Sequence, residues 1–203
     1  MIGLGYLDRL YFIEPEFTLL APNEKIPALP LTAEKSIGSP EAPITMFIFS
    51  DFLCFPCQQF AISTMEEIHN KYVTSGKVRI IFKYYASHGE SSMLAAQAAE
   101  CAAVQNKFWA FHDLLMAKQP VETDVTIACL EGIAREAGLD MMSFSKSLQS
   151  GEYRDVIISA EQEAEDLNVT ASPSYYVNRM KGRGYQSFQA FEDIFKELLG
   201  NDN

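Results

Sequence analysis

Residues 44–85 change hydrophobic period twice, and this restricts the fold more than any other feature of the chain. "ITMFIFS" (44–50) is β-branched, aromatic and apolar on both faces, the pattern of an inner strand in a covered sheet. From Cys57 onward Ala61, Met65, Ile68 and Tyr72 recur every three or four residues, until Ser75 and Gly76 supply a stop. That spacing predicts an amphipathic helix. "KVRIIFKYY" (77–85) is a strand again. Strand, helix and strand in succession make a βαβ unit, in which the crossover helix forces parallel pairing.

Two of the four cysteines, Cys54 and Cys57, sit where the first strand becomes the helix. Unpaired amides and the positive end of the helix dipole stabilise an anion there, so Cys54 is expected to ionise readily. Cys57 lies one turn further in on the same face, close enough to close a small disulfide ring. Pro56 falls in the first turn, where its missing N–H costs no hydrogen bond. An activated thiolate beside a resolving thiol is what thiol–disulfide exchange requires. Two other uses of the pair compete. A zinc site needs two more ligands at metal-like spacing, but Cys101, Cys129, His69, His88 and His112 form neither a second CxxC nor a paired-histidine motif. An inert structural disulfide across so short a loop removes little chain entropy.

The remaining sequence reads as an arm, a helical region and a strand–strand–helix ending. Residues 1–35, rich in proline, read as an extended arm or linker that opens with Leu4, Leu7 and Tyr11 at helical spacing. Helical periodicity covers 91–105, 107–118, 124–139, 141–149 and 152–167. Strands follow at 174–178 and 181–186, and then a helix over 187–200 with Ser187 as N-cap and Gly200 just past its end. A net charge of -11 argues against a nucleic-acid partner, because phosphate binding needs clustered Lys and Arg. There is no apolar run long enough to span a bilayer. The start lacks the basic region of a signal peptide. A signal or anchor removed ahead of Met1 is the preferred reading, because the cysteine chemistry suits an oxidising, periplasmic or otherwise extracytoplasmic compartment; a cytoplasmic location is the alternative.

Four blocks, in order, resemble the DsbA-like thioredoxin-fold family of thiol:disulfide oxidoreductases. These are "GSPEAPITMFIFSDFLCFPC", "AAECAAVQNKFWAFHDLLMAKQ", "NVTASPSYYVN" and "SFQAFEDIFKELL", and together they cover about residues 36 to 199. The resemblance implies an α/β thioredoxin fold with a helical insertion between its βαβ half and its cis-proline ββα half. The core would be 36–87 and 168–203 and the inserted helical domain 88–167. It implies a surface nucleophile at Cys54, a resolving thiol at Cys57, and a cis Ser172–Pro173 bond facing them. Phe55, Pro56, Ser172 and Pro173 would then meet the substrate. The implied substrates are cysteine-containing proteins or peptides, and a redox partner protein restores the pair, with neither cofactor nor metal. A disulfide reductase or isomerase, or a peptide-binding chaperone-like module, is the alternative on the same fold.

The chain also departs from the family. Phe55-Pro56 replaces the histidine that the strongly oxidising members carry between their cysteines, so a less extreme thiolate and potential are expected. Ile48 stands where an acidic residue often lies beneath the site, leaving Lys83 as a weaker candidate for a buried charge. Asp51 is expected to face solvent or cap the turn. Cys101 and Cys129 read as buried free thiols, with a bridge between the two as the alternative, and the three histidines as satisfied surface or packing residues.

Overall fold

The computed structural model describes residues 17–28, 34–118 and 125–200. The stripe Leu4, Leu7 and Tyr11 lies outside the described residues. The strands are β1 (Thr18–Leu19), β2 (Ser36–Ile37), β3 (Ile44–Ser50), β4 (Val78–Tyr84), β5 (Ser174–Val177) and β6 (Met180–Arg183). They form one mixed sheet in the order β1-β6-β5-β3-β4-β2. The parallel pair is β3 with β4, running from Ile44 opposite Val78 to Ser50 opposite Tyr84. On its other side β3 pairs antiparallel with β5, Ile48 opposite Tyr175. The central strand is thus hydrogen-bonded on both edges, and apart from Thr45 all of its residues are buried.

Helices α1 (Phe55–Ile62), α2 (Thr64–Ile68) and α8 (Phe188–Leu198) follow β3 and close the chain. Met46, Ile48, Tyr175 and Val177 of the sheet pack with Phe60, Phe191 and Phe195 of these helices. The opposite face sets Phe47, Phe49 and Tyr176 against Ala164 of α7 (Arg154–Asp166). The helical region supplies α3 (Gly89–Ala103), α4 (Phe108–Lys118), α5 (Ile127–Glu136) and α6 (Met141–Ser150). Its Phe108, Phe111, Leu130, Ile133 and Phe144 belong to the same cluster as Phe52, Cys57, Phe82 and Tyr84. The insertion therefore shares its core with the cysteine end of the sheet. Glu100 of α3, nearly buried, accepts both from Lys35 Nζ and from Tyr84 Oη, each at 2.7 Å, which ties the insertion to β4.

Two features differ from the sequence expectation. The helix after Cys57 is broken at Ser63, and beyond α2 it ends in a π-helical turn, His69–Val73. Ser63 Oγ bonds back to the Gln59 carbonyl, a bond that bends helices, while Thr64 Oγ1 donates to the Gln186 carbonyl at 3.0 Å and pulls the next turn toward the chain's end. The second correction concerns the arm. Residues 17–20 are part of the fold: β1 pairs with β6, and Phe17 packs edge-on to Phe191 at 5.2 Å. A β-carbon on Gly182 would stand 2.7 Å from the Phe17 ring, so glycine there makes room for the arm.

Candidate active site

The turn that carries the cysteines is built by Asp51. Its main-chain carbonyl accepts from the Cys54 amide at 3.2 Å, and its Oδ1 accepts from the Leu53 amide at 2.9 Å, an Asx-type turn. Cys54 then takes an extended conformation at the N-cap of α1 (φ -75, ψ 114), and the Gln58 amide donates to its carbonyl at 3.0 Å. Proline in the first turn of α1 sacrifices no helical bond. Phe52 anchors the turn from below, its ring stacked on Phe82 at 5.6 Å.

The two thiols have opposite surroundings. Cys54 is 7% exposed and Cys57 is fully buried. The Cys54 pKa is lowered to about 6. A hydrogen bond from the Cys57 thiol is the main cause; burial opposes it, Ser172 and the Cys57 amide add to it, and the Asp51 charge works against it. Cys57 is pushed well above the ordinary thiol value, first by burial and then by its bond to Cys54 and the charge there. All four cysteines are free thiols in this structure, Cys101 and Cys129 included. Burial pushes the Cys101 thiol up to about 12, which makes it inert at neutral pH.

The Ser172–Pro173 bond is cis. The Ser172 carbonyl accepts from Cys54 Sγ at 3.2 Å, so this loop lies directly against the outer cysteine. Phe55 is 56% exposed beside it, Pro56 and Ser172 are half-buried, and Pro173 is buried. The structure thus brings together Cys54, Cys57, Phe55, Pro56, Ser172 and Pro173.

Three expectations near the site need correction or refinement. Asp51 does cap the turn, but it is buried rather than facing solvent. Lys83 points away from the cysteines, toward α7, where its Nζ lies 2.8 Å from Glu163 Oε2. Its charge is therefore paired at α7. Ile48 is buried beneath the site, packed with Phe60 and Tyr175. The Tyr175 hydroxyl is buried there with no hydrogen-bond partner among the described residues, and burial followed by the charges of Cys57 and Cys54 raises its pKa.

Residue-by-residue reading missed a polar cluster around Asp51. Ser87 donates to Asp51 Oδ2 through its amide (2.7 Å) and its hydroxyl (2.8 Å). Ser92 Oγ is 2.7 Å from Oδ1, and His88 Nδ1 is 2.8 Å from Oδ2. Ser87 Oγ is also 3.5 Å from Ser172 Oγ, which continues the contacts to the loop beside Cys54. The run "SHGESS" at the start of α3, unusually polar before an Ala-rich helix, was the available signal. His112, by contrast, is a packing residue, 1% exposed with its Nδ1 2.8 Å from Asp113.

Comparison with known proteins bears on the same region. A family model described as thioredoxin matches residues 32–197. A probable disulfide bond formation protein D of Bacillus cereus is 29% identical over 153 residues, covering 72% of this chain and 71% of that protein. Oxidised BdbD from Bacillus subtilis superposes with a TM-score of 0.77 at 25% identity, over 81% of this chain and 92% of that one. Alpha-DsbA1 from Wolbachia pipientis, at 22% identity, shares the fold with a TM-score of 0.74 over 90% of this chain and 94% of its own.

Proposed function

The chain belongs to the DsbA-like thioredoxin-fold family and is a thiol:disulfide oxidoreductase, and on that premise we propose that Cys54 and Cys57 exchange disulfides with protein or peptide substrates in the oxidising direction. A substrate thiolate attacks Cys54 of the Cys54–Cys57 disulfide and Cys57 leaves, taking up a proton. A second substrate thiolate then attacks the substrate sulfur of the mixed disulfide and expels Cys54 as a thiolate. A leaving thiol of low pKa departs faster and stabilises the reduced protein, which makes the disulfide oxidising. The observation that carries this reading is the placement of Cys54 at the start of α1 against the Ser172 carbonyl, with its pKa lowered to about 6 while Cys57 is held protonated.

Phe55, Pro56, Ser172 and Pro173 form the surface that meets the substrate in this proposal. Phe55 offers an exposed apolar contact, and the main chain of residue 172 pairs with an extended peptide. The names of its relatives, disulfide bond formation proteins, support the oxidising direction over a reductase, an isomerase or a chaperone-like module. An extracytoplasmic setting and a partner protein that reoxidises the pair complete the proposal. Among the described residues no helix is long and apolar enough to cross a membrane.

The test uses the oxidised protein and a reduced dithiol peptide. Wild type should convert the peptide to its disulfide, Cys54→Ala should be inert, and Cys57→Ala, loaded as a mixed disulfide with glutathione, should pass through a transient peptide adduct on Cys54. Unimpaired turnover by Cys54→Ala would remove the proposal.

A further inference from the structure

The Asp51 carboxylate is buried within a few residues of a cysteine that must itself become an anion. Its contacts are the Leu53 and Ser87 amides, the Ser87 and Ser92 hydroxyls, and His88 Nδ1. No lysine or arginine is among them, so His88 is the one described residue touching Asp51 that can become a cation. It is well placed to exchange protons with bulk water, since its side chain is 45% exposed while that of Asp51 is fully buried. The path onward is short. Ser87 Oγ, whose proton goes to Asp51, lies 3.5 Å from Ser172 Oγ, so there the Ser172 hydroxyl donates. The same residue touches the outer cysteine, since its carbonyl accepts from Cys54 Sγ at 3.2 Å.

We propose that His88, seated on the Asp51 carboxylate, is a positioning residue that takes up the proton released when Cys54 becomes a thiolate. The proposal rests on the reading of Cys54 as the reactive thiol. The balance is simple. A substrate dithiol gives up two electrons and two protons as its own disulfide forms and the Cys54–Cys57 bond breaks. One proton ends on Cys57, the other converts the His88 imidazole to imidazolium, and Cys54 is left as the thiolate. A second anion beside Asp51 is thereby matched by a cation rather than added to an uncompensated charge. Among the described residues, the other charges facing this patch do not replace His88. Arg154 of α7 is engaged by Glu90 at 2.7 Å, and Glu161 of α7 adds negative charge facing Asp51. By linkage, whatever factor the imidazolium contributes to Cys54 ionisation, the thiolate contributes to His88 protonation.

The test reads both sides of that linkage. Ring NMR of wild type from pH 5 to 9 should show His88 binding its proton about threefold more tightly in the reduced than in the oxidised protein, and Cys54→Ser should erase the difference. Thiolate absorbance of the reduced protein should report the reciprocal effect. His88→Gln should lower the thiolate population at pH 6 about twofold. His88→Lys, which keeps a positive charge throughout, should hold it at or above the wild-type level. A purely structural role moves neither the redox dependence of the ring nor the contrast between glutamine and lysine. Identical ring titrations in the two redox states, or a lysine variant that behaves as glutamine does, would overturn the inference. Should a variant fail to fold, the wild-type ring titration decides alone. If alkylation modifies Cys57 in preference to Cys54, the functional reading fails; if Cys54 is modified first and the ring is indifferent, only the role of His88 fails.

Discussion

The ionisation of Cys54 should make the reduced protein more stable as pH rises, and the size of the effect follows from the site. Folding lowers this thiol from the ordinary 9.0 to about 6. A group whose folded pKa is depressed contributes stability that is complete above its unfolded pKa and is lost as pH falls through the folded one. Between pH 6 and 8 the folded thiol is ionised and the unfolded one is not, so each pH unit adds about 1.4 kcal/mol. The window thus gives nearly 3 kcal/mol, which solvent screening at a site open on one side reduces to about 2 kcal/mol. Cys57 does not offset this below pH 8, because its own pKa lies above the ordinary thiol range in the folded state. The perturbation is Cys54→Ser, which removes the ionisation; the other titrating groups cancel except His88, whose proposed threefold coupling to the thiolate offsets well under 1 kcal/mol. The assay is urea unfolding of both reduced proteins at half-unit intervals from pH 5 to 8. Wild type should gain about 2 kcal/mol on the variant across that range. Parallel curves, or a gain toward acid pH, would refute the claim that Cys54 is a stabilised thiolate.

Three further outcomes are expected. Limited iodoacetamide treatment of the reduced protein at pH 7, followed by peptide mass mapping, should modify Cys54 before Cys57, and the reverse order would contradict the assigned roles. The wild-type potential should fall between the values known for DsbA and thioredoxin, on the order of −150 to −250 mV, and Phe55→His should raise it because an imidazolium favours the thiolate; a glutathione equilibrium showing no rise would shift attention away from the residues between the cysteines. Gly182→Ala should cost about 1–3 kcal/mol in thermal or urea unfolding, because the added methyl meets the Phe17 ring at 2.7 Å, and a neutral result would mean that the arm is not packed there.

The parts of the fold legible in the sequence are those whose signals are local and repeated. β3 spans the residues expected of it, since six consecutive apolar or β-branched residues ahead of Ser50 mark it as a strand. α8 begins one residue after its expected N-cap, and Ser187 does accept from the Ala190 amide. β1 and β2 were not legible because a two-residue strand carries no period. Phe17 gave no warning either, since what docks it is a glycine far along the chain. Local propensity also overstated the continuity of the helix after Cys57, where one serine hydroxyl and one distant carbonyl decide the break.

The same distinction runs through the site. The redox pair is a local motif, and its placement at a strand-to-helix junction suffices to suggest chemistry. Asp51 is adjacent in sequence to the same motif, yet its environment is set by Ser87 and Ser92, 36 and 41 residues away. Whether a carboxylate beside a CxxC faces water or is buried depends on which loop folds over it, and no spacing rule encodes that. Burial in turn changes its meaning. An exposed Asp51 would be a turn former with a screened charge, whereas a buried one opposes ionisation of Cys54 and requires donors on both oxygens. The helix start and the neighbouring thiol favour the thiolate, and Asp51 sets a limit on how far they can do so. The reactivity of Cys54 is therefore a balance between the segment that carries it and the start of α3, which the sequence places well apart and the fold brings into contact.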